Sequence, residues 1–170
     1  MEKFETVFMQ INKAVLMVLL GVMAVVIFAN VVLRYATRES IEWAEEVARY
    51  LMVWLTFVGA GPVLRYGGHI AIDNLQDSLP PKAARAVRVF IALVLFAFFA
   101  CLVWFGVLYV ERSQFQMTPT TQISMGWVYA AIPVGGALLA VHFALILKPY
   151  LADRRFASDE HFDANASASL

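Results

Sequence analysis

Residues 42–49, with the sequence EWAEEVAR, place four charged side chains directly before an apolar run. Glu45 and Arg49 lie four residues apart with the acid first, which is the favourable order for an ion pair on a helix. Acidic groups in a first helical turn, such as Glu46, also complement the helix dipole. Three interpretations remain open. These residues anchor a helix end, face another helix or a partner subunit at membrane depth, or line a substrate or proton pathway.

The histidines are the next candidates for chemistry. His142 lies inside an apolar run, His69 follows another such run, and His161 is near the C-terminus. A bis-histidine haem site needs two histidines within one helical bundle, so a haem-bearing membrane anchor is disfavoured. The single cysteine, Cys101, excludes an intrachain disulfide. No hydrolytic triad, metal-ligand spacing or phosphate loop is present, and we expect neither enzymatic activity nor a cofactor in this chain.

Composition indicates which elements must position these residues. Of the 170 residues, 61% are hydrophobic and 15% are charged, whereas an ordinary soluble domain has about 25% charged residues. Lipid is therefore the expected solvent for much of the surface. Basic and acidic residues are balanced at 13 each. There is no basic patch with interleaved aromatic residues, so nucleic acid is not an expected partner.

Four apolar segments are long enough to cross a bilayer, at about 14–33, 43–64, 87–110 and 127–147. The expected fold is all-α, with residues 1–150 as the membrane domain and residues 151–170 as a mobile cytoplasmic tail. Phe4, Val7, Phe8 and Ile11 fall on one helical face, which predicts a short interfacial helix before the first span. We find no internal repeat of the kind seen in complete secondary transporters.

Lysine and arginine placement predicts the orientation. Nine of these residues fall on the side that holds both termini, and four fall on the other side. The positive-inside rule therefore places both termini in the cytoplasm. On the same side, Pro80 and Pro81 break the chain, and Pro81 suits the first turn of the third span. Lys82, Arg85 and Arg88 then form a basic stripe at the expected level of anionic lipid headgroups.

Glycine and proline residues mark close approaches and turns. Gly67 and Gly68, followed by His69, permit a tight turn after the second span. Pro133 is expected to bend the fourth span, and Gly135 beside it lets a neighbouring backbone approach. The apolar helix faces that carry Gly59, Gly61, Gly135 and Gly136 are predicted to bind a larger membrane subunit.

Four motifs in a fixed order resemble the small permease family of tripartite ATP-independent periplasmic (TRAP) transporters. The first is Asn30-Val31-Val32-Leu33-Arg34-Tyr35, and the second is Trp43-x-Glu45-Glu46-x-x-Arg49. The third is Arg65-x-Gly67-Gly68-His69-Ile70-x-Ile72-Asp73, and the fourth is Trp127-x-Tyr129-x-x-Ile132-Pro133-Val134-Gly135. The match covers roughly residues 31–136. The segment Thr118–Ile123 departs from the aliphatic stretch that members often carry before the fourth helix.

This resemblance implies a multi-pass protein of the bacterial inner membrane that braces the static scaffold of a separately encoded large subunit. It further implies that the large subunit holds the sodium and substrate sites. A periplasmic binding protein would deliver an organic acid, such as a C4-dicarboxylate or sialic acid. The rival class is a self-sufficient four-helix exporter, which uses a glutamate inside its first helix. The segment Ala14–Leu33 has no acidic residue and argues against that class.

Overall fold

The computed structural model describes residues 2–67 and 79–153. Within them the chain is all-α, and the prediction of four membrane-spanning helices is confirmed by length and composition. The helices are α1 (Glu2–Thr37), α2 (Ala44–Arg65), α3 (Pro81–Ser113), α4 (Met125–Tyr129) and α5 (Ala131–Asp153). The short α4 and the longer α5 together form the fourth span. The helical end of α5 includes the first residues assigned to the tail, and residues 154–170 lie outside the described residues.

The predicted separate N-terminal helix is absent from the described residues. Instead α1 runs for 36 residues without interruption, because no glycine or proline separates the amphipathic segment from the apolar run that follows. Met9 and Asn12 are buried against the rest of the bundle. The N-terminal segment is therefore the first turns of α1, and its location at the lipid interface remains a prediction.

The two ends of α2 are shaped by the motif residues. The side-chain Oδ1 of Asn30 accepts a hydrogen bond of 2.7 Å from the backbone N–H of Ile41, which fixes the connection from α1. Trp43 is the N-cap residue of α2, and its carbonyl accepts from Val47 N at 3.0 Å. At the other end Gly67 has φ 73°, a left-handed conformation that glycine adopts without strain. Gly68 and His69 lie outside the described residues.

Pro81 occupies the first turn of α3, as predicted. In the fourth span, Pro133 accounts for the break between α4 and α5. A proline has no backbone N–H, so the carbonyl of Tyr129 loses the hydrogen bond that a continuous helix would supply. Ala130 sits at this break, with helical φ and ψ angles of −58° and −21°. The backbone N–H of Val134 donates to the carbonyl of Ala130 at 3.2 Å, so helical hydrogen bonding resumes directly after the break.

The core lies between α2, α3 and α5. Phe143 of α5 is 1% exposed, and its ring centroid lies 5.3 Å from that of Phe96 and 6.2 Å from that of Phe99, both on α3. Leu64 from α2 and Leu139 from α5 complete the contact. Aromatic pairs at these distances add to the stabilisation that burial gives.

Glycines bring these helices together. A Cβ atom at Gly135 would lie 2.6 Å from Phe57 Cβ on α2, and one at Gly106 would lie 2.8 Å from Pro133 Cδ. A Cβ at Gly136 would lie 3.1 Å from Leu102 Cβ. These distances are shorter than ordinary contacts, so a side chain at these positions would push the helices apart. Because Gly135 and Gly136 face helices of the same chain, the prediction that they bind a partner subunit is corrected.

Candidate functional site: two buried polar clusters

The first cluster surrounds Glu46, in the first turn of α2, which is 3% exposed. Its Oε2 accepts a hydrogen bond from the backbone N–H of Thr120 at 2.9 Å. Its Oε1 accepts from the backbone N–H of Thr121 at 3.1 Å and from Thr121 Oγ1 at 2.5 Å. We call Glu46, Thr118, Thr120 and Thr121 the Glu46 cluster. Three charge-assisted hydrogen bonds stabilise the ionised carboxylate and fix the loop between α3 and α4 to α2.

That loop has its own internal order. Thr118 is fully buried, and its Oγ1 lies 2.7 Å from Thr121 Oγ1 and accepts from Ile123 N at 2.9 Å. The side chain of Gln122 donates to the carbonyls of Thr118 and Pro119 at 3.0 and 2.9 Å. Threonine side chains readily satisfy turn backbone groups in this way. The loop departs from the family pattern in sequence, yet it is firmly held.

Sequence analysis did not assign Thr118, Thr120 and Thr121 to the site. The available signal was the run Thr-Pro-Thr-Thr-Gln, residues 118–122, whose side chains favour hydrogen bonds to nearby backbone. Nothing in that run pointed to a carboxylate more than 70 positions earlier in the chain.

The remaining motif residues at this end are exposed. Glu45 and Arg49 are both on the surface, and the described residues contain no ion pair between them. Arg34 is also exposed, and 82% of Tyr35 is accessible. An exposed pair at this spacing is worth only about 0.3–0.5 kcal/mol, which is too little to hold two long side chains together. Of the three acidic residues in the segment 42–49, Glu46 alone is buried.

The second cluster lies at the opposite end of α2 and consists of Glu5, Asn12, Arg65 and His142, which we call the His142 cluster. Arg65 Nη2 donates to Glu5 Oε2 at 2.5 Å, which links α2 to α1. Asn12 Nδ2 lies 3.0 Å from His142 Nε2, which links α1 to α5. Because the amide nitrogen can only donate, Nε2 of His142 accepts, and a neutral ring carries its proton on Nδ1.

His142 is fully buried and enclosed by protein. Its ring centroid lies 4.7 Å from that of Phe8, and a Cβ atom at Gly61 would overlap the ring. Gly61 is thus a notch in α2 that receives the imidazole. With Nε2 committed to Asn12 and one face against Phe8, this histidine serves helix packing. Gly61, like Gly135, faces the inside of the chain, contrary to the predicted partner contact.

The two clusters differ in how completely their polar atoms are satisfied. Each carboxylate oxygen of Glu46 has a partner. In the His142 cluster, Asn12 Oδ1, Arg65 Nη1 and His142 Nδ1 have no hydrogen-bond partner among the described residues. A donor or acceptor buried without a partner is destabilising, so the His142 cluster is the less stable arrangement.

Surfaces outside the clusters are mainly apolar. A groove of about 740 Å³ between α3 and α5 is lined by Phe99, Val103, Trp104 and Ala137, with Glu111 at one end. Lys82 and Arg85 are exposed at the start of α3, while Nε of Arg88 is buried. The predicted headgroup contact of this basic stripe remains a prediction.

Comparison with known proteins gives the family. Residues 23–148 match the profile described as "Tripartite ATP-independent periplasmic transporters, DctQ component". A TRAP transporter small permease protein of Haemophilus influenzae is 31% identical over 138 residues, covering 76% of this chain and 83% of the relative. The ectoine TRAP transporter small permease protein TeaB of Halomonas elongata is 29% identical, covering 68% of this chain and 61% of the relative.

A third relative is much longer than this chain. The sialic acid TRAP transporter permease protein SiaT of Haemophilus influenzae is 26% identical over 118 residues, which are 69% of this chain but 19% of SiaT. The matching region is therefore one part of a larger permease polypeptide. Together with the four spans and the ordered motifs, the family match identifies this chain as a multi-pass inner-membrane protein, a transport component and not an enzyme. It belongs to the DctQ family of TRAP transporter small permease subunits.

Proposed function

We propose that this chain is the small, non-catalytic scaffold subunit of a sodium-driven transporter that imports an organic acid. A separate large permease subunit would hold the sodium and substrate sites, and a periplasmic binding protein would deliver the substrate. The observation that carries this proposal is the family match over residues 23–148. The 19% coverage of SiaT supports the partnership, since in that relative the corresponding region is joined to a much larger permease.

The described interior supports a bracing role. The buried carboxylate of Glu46 binds backbone of its own chain, and the buried His142 packs on Gly61 and Asn12. The groove between α3 and α5 is lined chiefly by hydrocarbon, which suits an apolar occupant better than a carboxylate or a sodium ion. These polar groups hold the subunit's own helices and loop in position.

Substrate choice is proposed to reside in the partner proteins. Relatives at 29% and 26% identity are named for ectoine and for sialic acid, which share a carboxylate but differ in size and ring structure. The degree of sequence identity among these relatives therefore does not depend on the substrate for which each is named. We expect an exchange of binding protein and large subunit, with this chain retained, to change which organic acid is imported.

Reconstitution tests the proposal. Proteoliposomes that contain this chain, its large partner and the binding protein should accumulate substrate when a sodium gradient is imposed. Proteoliposomes with this chain alone should accumulate none, because the sodium and substrate sites are assigned to the partner. Sodium-driven uptake by this chain alone would refute the scaffold role and restore the exporter alternative.

The orientation has a separate test in intact cells. In a Cys101→Ser background, we expect Thr120→Cys to react with a membrane-impermeant thiol reagent and Lys82→Cys to be protected until the cells are opened. Both side chains are exposed, so accessibility does not bias the comparison. The reverse labelling pattern would place the termini in the periplasm.

A further inference from the structure

The outward face of α1 has an unusual length of exposed apolar surface. A path along this face begins at Phe4, advances alternately by three and four residues (4, 7, 11, 14 and so on) and ends at Tyr35. Every position on this path is apolar or aromatic, and every one is exposed. We call it the outer seam. On the opposite side of α1, Met9, Asn12 and Asn30 are buried against the bundle, and the residues at 16, 19, 23 and 26 are half-buried.

The outer seam is longer than lipid tails require. Thirty-one residues of helix between Phe4 and Tyr35 rise about 46 Å, whereas the hydrocarbon core is about 30 Å thick. Phe4 is 64% exposed at one end and Tyr35 is 82% exposed at the other. Lipid tails cannot cover both ends of an upright helix of this length. A second helix running alongside can cover the full length.

A neighbouring path on the same helix shows what an ordinary lipid-facing surface looks like. This path takes every seventh residue and consists of Thr6, Lys13, Leu20, Ile27 and Arg34. Each of these residues directly precedes a residue of the outer seam. This path is apolar only in its middle and polar at both ends, as a bilayer of ordinary thickness demands. The outer seam lacks that polar flanking, although both paths lie on one helix.

The repeat of the seam also suits a helix partner. Steps of three and four residues average 3.5, the spacing at which two helices keep one face in contact along their length. Gly21, near the middle, has no atom within 4 Å of the place where a Cβ would lie. The other described glycines within the spans each have a neighbour of the same chain within 4 Å of that place: Gly59, Gly61, Gly106, Gly126, Gly135 and Gly136. Small residues are enriched where membrane helices meet, so Gly21 lacks the packing partner that its counterparts have.

The exposed area of the seam is comparable to one side of a standard protein interface. With about 150–250 Å² for a large aromatic side chain and the exposed fractions of the seam residues, the seam offers on the order of 800 Å². One partner in a standard protein interface contributes about that much.

From these observations we propose that the outer seam of α1 is the surface on which a helix of the large permease subunit docks. This inference rests on the proposed function, which supplies the large subunit as the occupant. The relative SiaT, in which the matching region is 19% of a longer permease, supports that occupant over a second copy of this chain. The seam should lie against the partner from Phe4 to Tyr35, with Gly21 at the closest approach.

Photocrosslinking in the complete complex tests this assignment. p-Benzoylphenylalanine would be introduced at Val25, on the seam, and in a second variant at Leu20, on the neighbouring path. Both positions are exposed, and they are separated by five residues, about 7.5 Å along the helix axis. After irradiation in membranes, Val25→p-benzoylphenylalanine should give an adduct with the mass of this chain plus the large subunit. Leu20→p-benzoylphenylalanine should give at least tenfold less.

Matched tryptophan variants measure the same contact without a probe. Gly21→Trp should reduce co-purified large subunit at least tenfold, because the indole would occupy the place of the partner backbone. Leu20→Trp should leave it within twofold of wild type. No atom of this chain lies within 4 Å of the place of a Cβ at Gly21, and Leu20 is exposed, so we expect the yield of the small subunit itself to stay unchanged in both variants.

The possible outcomes are distinct. An adduct with the mass of two small subunits would overturn the inference in favour of a homodimer. Absence of a protein adduct at Val25 in a complex that still co-purifies would leave the scaffold function intact and assign the seam to lipid. If the unmodified chain co-purifies with no larger membrane protein, the proposed function and this inference both fail.

Discussion

Glu46 and Arg65 lie about 28 Å apart at opposite ends of α2, and both are charged residues buried in protein. Glu46 binds two backbone N–H groups and a hydroxyl of one loop, all of them within residues 120–121. Among the described residues, Arg65 donates to one side chain, that of Glu5 on α1. The hydrogen bonds of Glu46 therefore determine the conformation of an irregular loop. The ion pair of Arg65 adds one interaction between helices that already pack through apolar contacts.

This difference predicts unequal consequences when each cluster is broken. Removal of the Glu46 carboxylate takes away the protein acceptor of two backbone N–H groups at once, so we expect the loop to rearrange. A side-chain pair at a helix end can separate and regain water. Mutations at Glu46 should therefore have the largest effects, and those in the His142 cluster should follow in order of how much each one disturbs packing.

The largest effect is expected from Glu46→Ala. Removal of the carboxylate leaves the backbone N–H groups of Thr120 and Thr121 without their acceptor, and their amide hydrogens should exchange roughly tenfold faster or more. Hydrogen exchange followed by mass spectrometry on peptides covering residues 118–123 measures this change. Glu46→Gln should accelerate amide exchange by an intermediate amount, because the oxygen of the amide can still accept a hydrogen bond whereas its nitrogen can only donate.

Glu45→Ala is the matched control for that experiment. Glu45 is the adjacent acid in the same helical turn, but it is exposed. Its removal should leave exchange in the loop unchanged. Equal acceleration in Glu45→Ala and Glu46→Ala would show that general charge at the helix end, and not the specific bonds, orders the loop.

The second effect concerns the notch at Gly61. A methyl group there would overlap the imidazole of His142, so Gly61→Ala should destabilise the isolated subunit by about 1–3 kcal/mol, the usual cost of overpacking. Thermal or denaturant unfolding in detergent measures it. Gly21→Ala is the control, and it should be neutral or slightly stabilising because its Cβ meets open space. Equal losses at both positions would contradict the notch.

A smaller effect is expected for the ion pair between α1 and α2. Arg65→Gln should cost about 1 kcal/mol, because the side chain of Glu5 is 29% exposed and can regain water. The double variant Glu5→Gln/Arg65→Gln should lose less than the sum of the two single variants, because neither charge is left alone. Strict additivity in unfolding measurements would mean that the two residues act independently.

The smallest effect is expected for Asn12→Leu. Hydrogen bonds between side chains of membrane helices contribute about 0.6 kcal/mol on average, and Asn12 Oδ1 has no partner among the described residues. Loss of the bond to His142 is therefore partly offset by removal of a buried, unsatisfied acceptor. A loss above about 2 kcal/mol in the same unfolding assay would show that the His142 cluster is as strongly coupled as the Glu46 cluster.

Several features could be predicted from the sequence because their causes are local. Each apolar run must satisfy its backbone internally in lipid, which makes it a helix. Pro81 begins a helix, Gly67 adopts a left-handed turn, and Pro133 interrupts the fourth span. Each follows from the chemistry of one residue or of a short run. The order of motifs likewise sufficed to predict the family that residues 23–148 match.

Other features depended on how each helix is rotated about its axis and on which distant segment it meets. Only the tertiary structure showed that Glu46, and not Glu45, is the buried acid. The two residues are adjacent and differ only in the direction in which they leave the helix axis. The loop that binds Glu46 lies 74 positions further along the chain. The tertiary structure likewise showed that Gly61 and Gly135 face their own chain while Gly21 faces outward. In an apolar helix every face is chemically similar, so the pattern of residues does not fix the rotation. The close packing of particular side chains does.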